Sequence, residues 1–112
     1  MKHNSRNLTW PELKKLTQAR WLARVNGEES DLSPEEWLST LSYFNFRCAY
    51  CLSPYAVIEH FIPLGMGVGT VARNCVPACR SCNNLKEGNR DKFKTRATNL
   101  SNVIRYLSSK AI

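Results

Sequence analysis

Long apolar runs are missing from this chain of 112 residues. No stretch approaches the roughly 20 apolar residues needed to span a bilayer, so no membrane-spanning helix is expected. The first helix-like segment is charged and has no signal-peptide pattern, which leads us to expect an intracellular, cytoplasmic protein. Internal repeats and low-complexity tracts are absent, which leaves one small domain. Histidine is scarce, with only His3 and His60. Acidic residues are few: 9 against 16 basic ones, a net charge of +7. The shortage of acid is uneven. From Arg73 onward only Glu87 and Asp91 oppose a long series of lysines and arginines, whereas residues 31–72 hold Asp31, Glu35, Glu36 and Glu59 against Arg47 alone. Such a basic half suits a polyanion, although charge alone equally fits a soluble protein with scattered lysines.

Two N-terminal helices are expected. Thr9-Trp10-Pro11-Glu12 reads as an N-cap, a first-turn proline and a capping-box acid, and Gly27 as a stop. Leu13, Leu16, Leu22 and Val25 would form the apolar stripe. Ser33-Pro34-Glu35-Glu36 repeats the start signal, for a helix burying Trp37, Leu38 and Leu41. Residues 1–8 read as loose. Ala56–His60 reads as a strand, Gly65–Gly69 as a loop, and Val71–Val76 as a returning strand ended by Pro77. A short helix is expected from Arg80 to Glu87 with Gly88 as its C-cap, then a polar connector over Asn89–Lys94. Leu100, Val103, Ile104 and Leu107 have the spacing of a last helix over 98–108.

Of the five cysteines, four form two pairs: Cys48 and Cys51, then Cys79 and Cys82. Reduced thiols in an intracellular protein point to metal rather than disulfides. Two C-x-x-C knuckles make a closed tetrahedral zinc site, structural because no coordination position is left open. Cys75 falls outside both pairs and reads as a small buried residue.

Between the knuckles lies Glu59-His60, with Asn74 beyond it and Asn83 just after Cys82. Taken singly, His60 reads as a core histidine, Glu59 as a solvated charge and Asn74 as a turn former. Taken together, a carboxylate and an amide oxygen suit a hard ion such as Mg²⁺, and an imidazole could deprotonate a water for attack on a phosphodiester. Lys86, three residues after Asn83, shares its helical face and could meet a phosphate oxygen. Neighbours on a strand point to opposite faces, so Glu59 and His60 can share one site only if the chain bends there, which Pro63 favours.

Glu59-His60, Asn74, and Cys79-Arg-Ser-Cys82-Asn83-Asn84-Leu-Lys86 resemble, in order and spacing, the HNH endonucleases, the ββα-metal nucleases. The resemblance covers residues 46–90 and leaves out the first two helices and the last. It implies a ββα-metal core on a four-cysteine zinc site; with the two N-terminal helices and one C-terminal helix read from the sequence pattern, the expected fold class is α+β. The divisions would be 1–45, 46–95 and 96–112, all in one compact domain. It implies His60 as general base, Glu59 and Asn83 as ligands of a catalytic Mg²⁺ or Mn²⁺, and Asn74 as the residue that pins the loop. Asn83 in place of a final histidine favours a hard metal over a three-histidine zinc or nickel site. The substrate would be DNA, held mainly by its phosphates through Arg80, Lys86, Arg90, Lys92 and Lys94. The source would be a prokaryote or phage, and a homodimer stays open. A non-catalytic zinc-ribbon module binding DNA or RNA is the alternative, and a zinc-stapled protein-interaction domain the third.

Overall fold

First-turn prolines start both N-terminal helices, α1 (Trp10–Val25) and α2 (Pro34–Tyr43), in a computed structural model that describes residues 8–111. His3 and most of the expected loose start lie outside the described residues; Leu8 packs against the core. The full capping box forms only at α2. Ser33 Oγ accepts from Glu36 N, and the Glu36 carboxylate accepts from Ser33 N. At α1 the Thr9 side chain caps nothing, and the Glu12 carboxylate accepts from the Tyr55 hydroxyl instead of closing a capping box. The apolar stripe also differs from expectation. Leu16, Ala19 and Ala23 are buried, whereas Val25 is 63% exposed. The two alanines let the α1 backbone approach its neighbours closely.

The chain then forms β1 (Val57–His60), a 3-10 turn (Ala72–Asn74) and β2 (Cys75–Ala78). The strands pair antiparallel, with Glu59 opposite Val76 and His60 opposite Cys75. The returning strand therefore begins later than its apolar run suggests, and Pro77 lies inside it, opposite Ile58. Proline is tolerated there because this position faces away from β1: the Pro77 carbonyl accepts from Ala49 N at 2.8 Å, so the missing N–H costs no ladder bond.

After β2 come α3 (Arg80–Gly88), α4 (Arg90–Arg96) and α5 (Leu100–Lys110). The expected polar connector is thus mostly helix. Asn89 caps α4 by accepting from Lys92 N, and a single apolar residue, Phe93, anchors it edge-on to Tyr50 with ring centroids 5.0 Å apart. Gly88 is the last residue of α3 rather than its cap.

The two faces of the hairpin carry separate cores. On one, Cys75 and Ile58 pack with Leu16, Leu32, Trp37 and Leu41 of the N-terminal segment. On the other, Val76 and Ala78 pack with Tyr50, Phe93, Val103, Tyr106 and Leu107. Period-two alternation of the strands produces this division. Among the described residues, no helix is long and apolar enough to cross a membrane.

Candidate zinc and active site

The four paired cysteines meet. Their sulfurs all lie within 4.8 Å of one another, and Cys51 Sγ is 3.7 Å from Cys79 Sγ. Four sulfurs at the usual zinc–sulfur bond length, arranged tetrahedrally, would be separated by about 3.8 Å. The donor set and its spacing fit zinc. Tight backbone turns hold the sulfurs: Leu52 N donates to Cys48 O at 2.9 Å, and Leu52 takes a positive φ of 68° to close the first knuckle. At the second, Cys82 N donates to Cys79 Sγ at 3.4 Å from the first turn of α3. Burial pushes the Cys51 thiol up, but contacts with Ser53, Cys82 and Cys79 overcome this and bring it down to about 6. Arg96, which the sequence did not single out, places Nη2 3.6 Å from Cys79 Sγ. A guanidinium there offsets the negative charge of a thiolate cluster. Cys75 stays apart, buried in the N-terminal core.

Glu59 and His60 leave the end of β1 on opposite faces. Glu59 is 2% exposed. Its carboxylate accepts from the Tyr50 hydroxyl and pairs with Lys86 Nζ at 3.1 Å. Burial raises the Glu59 carboxyl above the ordinary range, while Lys86 and Tyr50 oppose the shift. Lys86 also donates to Phe61 O at 2.7 Å and to His60 O at 3.4 Å. The three protons of its ammonium are all directed into the protein. His60 turns toward α1, with Nε2 2.8 Å from Thr70 Oγ1. Burial, aided by Lys86 and opposed by Glu28, lowers the His60 imidazole below its ordinary value, which favours the neutral ring near neutral pH.

A cavity of about 340 Å³ reunites these residues. It is lined by Ile58, Glu59, His60, Pro63, Leu64, Asn83 and Glu87. The chain bends out of the strand after His60, so side chains from both faces reach the same rim. Asn83 arrives from the first turn of α3, directly after Cys82, which ties its position to the thiol cluster. Glu87, one turn further along α3, brings a second carboxylate that the sequence reading did not single out. The donors are hard oxygens, and each Glu59 oxygen keeps a lone pair beyond its present partner. This set fits a hard divalent ion that retains several waters.

Asn74 lies behind the loop rather than in the cavity. It is 1% exposed. Its side chain accepts from Ile62 N at 2.7 Å and donates to Ile62 O at 3.0 Å and Gly69 O at 2.9 Å, holding both ends of segment 62–69. On the other side of His60, a groove runs between α1 and β1, with Lys15 and Arg80 among its lining residues. Arg80, Arg90, Lys92 and Lys94 are exposed.

An antiparallel hairpin, a helix starting on the second knuckle and a thiol cluster joining the two define a ββα-metal fold of the nuclease type. Comparison with protein families agrees: the HNH endonuclease model matches residues 48–89, so that segment is similar to the HNH endonucleases. The helices on either side lie outside the match. No significant match is found among curated proteins or solved structures.

Proposed function

We propose that this protein is a metal-dependent HNH endonuclease that hydrolyses phosphodiester bonds of DNA. The observation that carries the reading is the convergence of Glu59, His60 and Asn83 on one cavity inside the segment that matches the HNH model. His60 is the general base. Its neutral imidazole takes the proton of the attacking water at the rim of the cavity. Glu59 and Asn83 hold a divalent metal, Mg²⁺ or Mn²⁺, which when bound supplies positive charge to the scissile phosphate. Tyr50 and Lys86 keep the Glu59 carboxylate oriented, and Asn74 fixes the loop that follows His60. The four cysteines hold a structural zinc that sets the position of α3, and with it Asn83.

The substrate follows from charge. Arg80 borders the groove beside His60, and α4 exposes Arg90, Lys92 and Lys94. These residues grip the backbone phosphates. Nicking of supercoiled plasmid tests the activity. Conversion to open-circular or linear DNA is expected with Mg²⁺ or Mn²⁺ and not with EDTA. Intact plasmid under all metal conditions, with DNA binding retained, would instead favour the non-catalytic binding module.

The grip makes a separate prediction. Reversing the charges of Arg90, Lys92 and Lys94 together should weaken binding to two unrelated duplexes about equally. The slope of log affinity against log salt should flatten by roughly 0.9 for each phosphate that is no longer neutralised. Salt titrations of wild type and triple variant measure it; an unchanged slope, or weakening confined to one duplex, would remove α4 from the interface.

A further inference from the structure

Thr70 stands outside the residues that the proposed chemistry uses, yet it touches the central one. It is fully buried, at 0% exposure. Each of its polar groups has a partner. Its N–H donates to Glu29 O at 2.8 Å, and its carbonyl accepts from Leu32 N at 3.1 Å. Its hydroxyl lies 2.8 Å from both Ala19 O and His60 Nε2. A hydroxyl has one proton to give, and a backbone carbonyl can only accept. The proton therefore goes to Ala19 O, and Thr70 Oγ1 must accept from His60 Nε2–H. In the neutral ring this leaves the lone pair on Nδ1.

We propose that Thr70 is the positioning residue of the nuclease site: held by α1 and by segment 29–32, it fixes the orientation and tautomer of His60 so that Nδ1 is the basic atom. The proposal rests on His60 being the general base. It assigns a task to the N-terminal helical segment, which lies outside the HNH match. Gly69 shows how tightly that segment grips the loop. Its φ is +94°, and a Cβ there would come within 2.2 Å of Glu29 O, a contact that no side chain survives. Glycine lets the loop run flush against residue 29 and delivers Thr70 to the Nε2 edge of the imidazole. The alanine at position 19 serves the same end, since a small residue lets the α1 carbonyl come within hydrogen-bond distance.

The test combines spectroscopy and kinetics on the full chain. Nitrogen-15 labelling of histidine gives two imidazoles, and His3→Gln assigns them. At a pH where the His60 ring is neutral, its spectrum should show the Nε2–H form in wild type and in Thr70→Ser. In Thr70→Val, nearly isosteric but without the hydroxyl, the signals should move toward a tautomer mixture. In plasmid cleavage, Thr70→Val should lower kcat about 10-fold or more with KM little changed, and Thr70→Ser should restore most of the loss. An Nδ1–H ring in wild type would overturn the proposal, and so would Thr70→Val cleaving at the wild-type rate. If the valine variant does not fold, the wild-type tautomer and the serine variant still decide: serine cleaving far below wild type counts against it. The spectrum is read whether or not the protein cuts DNA. An inactive wild type with an Nε2–H ring would therefore refute the nuclease reading while leaving the hydrogen-bond assignment intact.

Discussion

His60→Ala should lose plasmid cleavage by on the order of 100-fold or more, the contribution expected of a positioned general base, while binding duplex DNA nearly as wild type does. No neighbour can take over. The Glu59 carboxylate is engaged by Tyr50 and Lys86, and the Lys86 ammonium is committed to Glu59 and two backbone carbonyls. Glu87 lines the same cavity but comes from α3 rather than from the end of β1. Binding should survive because the exposed arginines and lysines proposed to grip phosphate lie on α3 and α4 rather than at the end of β1. The loss should therefore appear in kcat, with KM little affected. Cleavage within a few-fold of wild type would end the assignment of His60; loss of binding in parallel with cleavage would mean that the substitution disturbs the surface rather than the chemistry.

Cys48→Ser and Cys82→Ser should each remove zinc and unfold the central segment. Binding of structural zinc to a four-thiolate site is worth on the order of 10 kcal/mol. Net stabilities of whole domains are roughly 5–15 kcal/mol. Losing most of the metal term therefore leaves little to hold the knuckles. Both residues are fully buried beside Tyr50, Val76 and Phe93, so the larger core should fail with the site. Elemental analysis of wild type after dialysis against Mg²⁺-free buffer should give one zinc per chain, and thermal melts of the variants should show a loss of cooperative unfolding. A Cys48→Ser protein that folds stably without zinc would refute a structural role for the cluster. Cys75→Ser supplies a contrast: that thiol sits outside the cluster, so zinc content should stay at one per chain even if the N-terminal core is weakened.

Chemistry written into local spacing was legible before any fold was known. Two C-x-x-C knuckles need only short turns to bring paired sulfurs together, so the thiol cluster could be read from four positions. The start of α2 was equally plain, because Ser33, Pro34 and Glu36 act within a single turn. What stayed hidden depends on residues far apart in the chain. Nothing near Thr70 in sequence points to Ala19, and nothing near Glu59 announces that Tyr50, inside the first knuckle, will donate to it. Helix α4 was obscured for a different reason: Arg90–Arg96 is polar apart from Phe93, and one aromatic in a basic run carries no periodicity. Pro77 misled because a proline usually ends a strand, and only the pairing register reveals that its missing donor faces away. The face that each candidate-site side chain takes was likewise beyond reach of a linear motif. Adjacent letters in the pattern, Glu59 and His60, begin on opposite sides of the hairpin and are reconciled only where the chain turns.

The packing of Gly69 against Glu29 bears on how this protein could be trimmed or transplanted. A motif bounded by 46 and 95 looks like a portable cassette, since it contains both knuckles and the hairpin. Excision would strip Leu16, Leu32, Trp37 and Leu41 from one face of that hairpin, and Val103, Tyr106 and Leu107 from the other. It would also remove the backbone against which residue 69 is fitted. The smallest transferable unit is therefore much larger than its recognisable motif, and a linker inserted between α1 and α2 would be felt at the imidazole rather than absorbed at the surface.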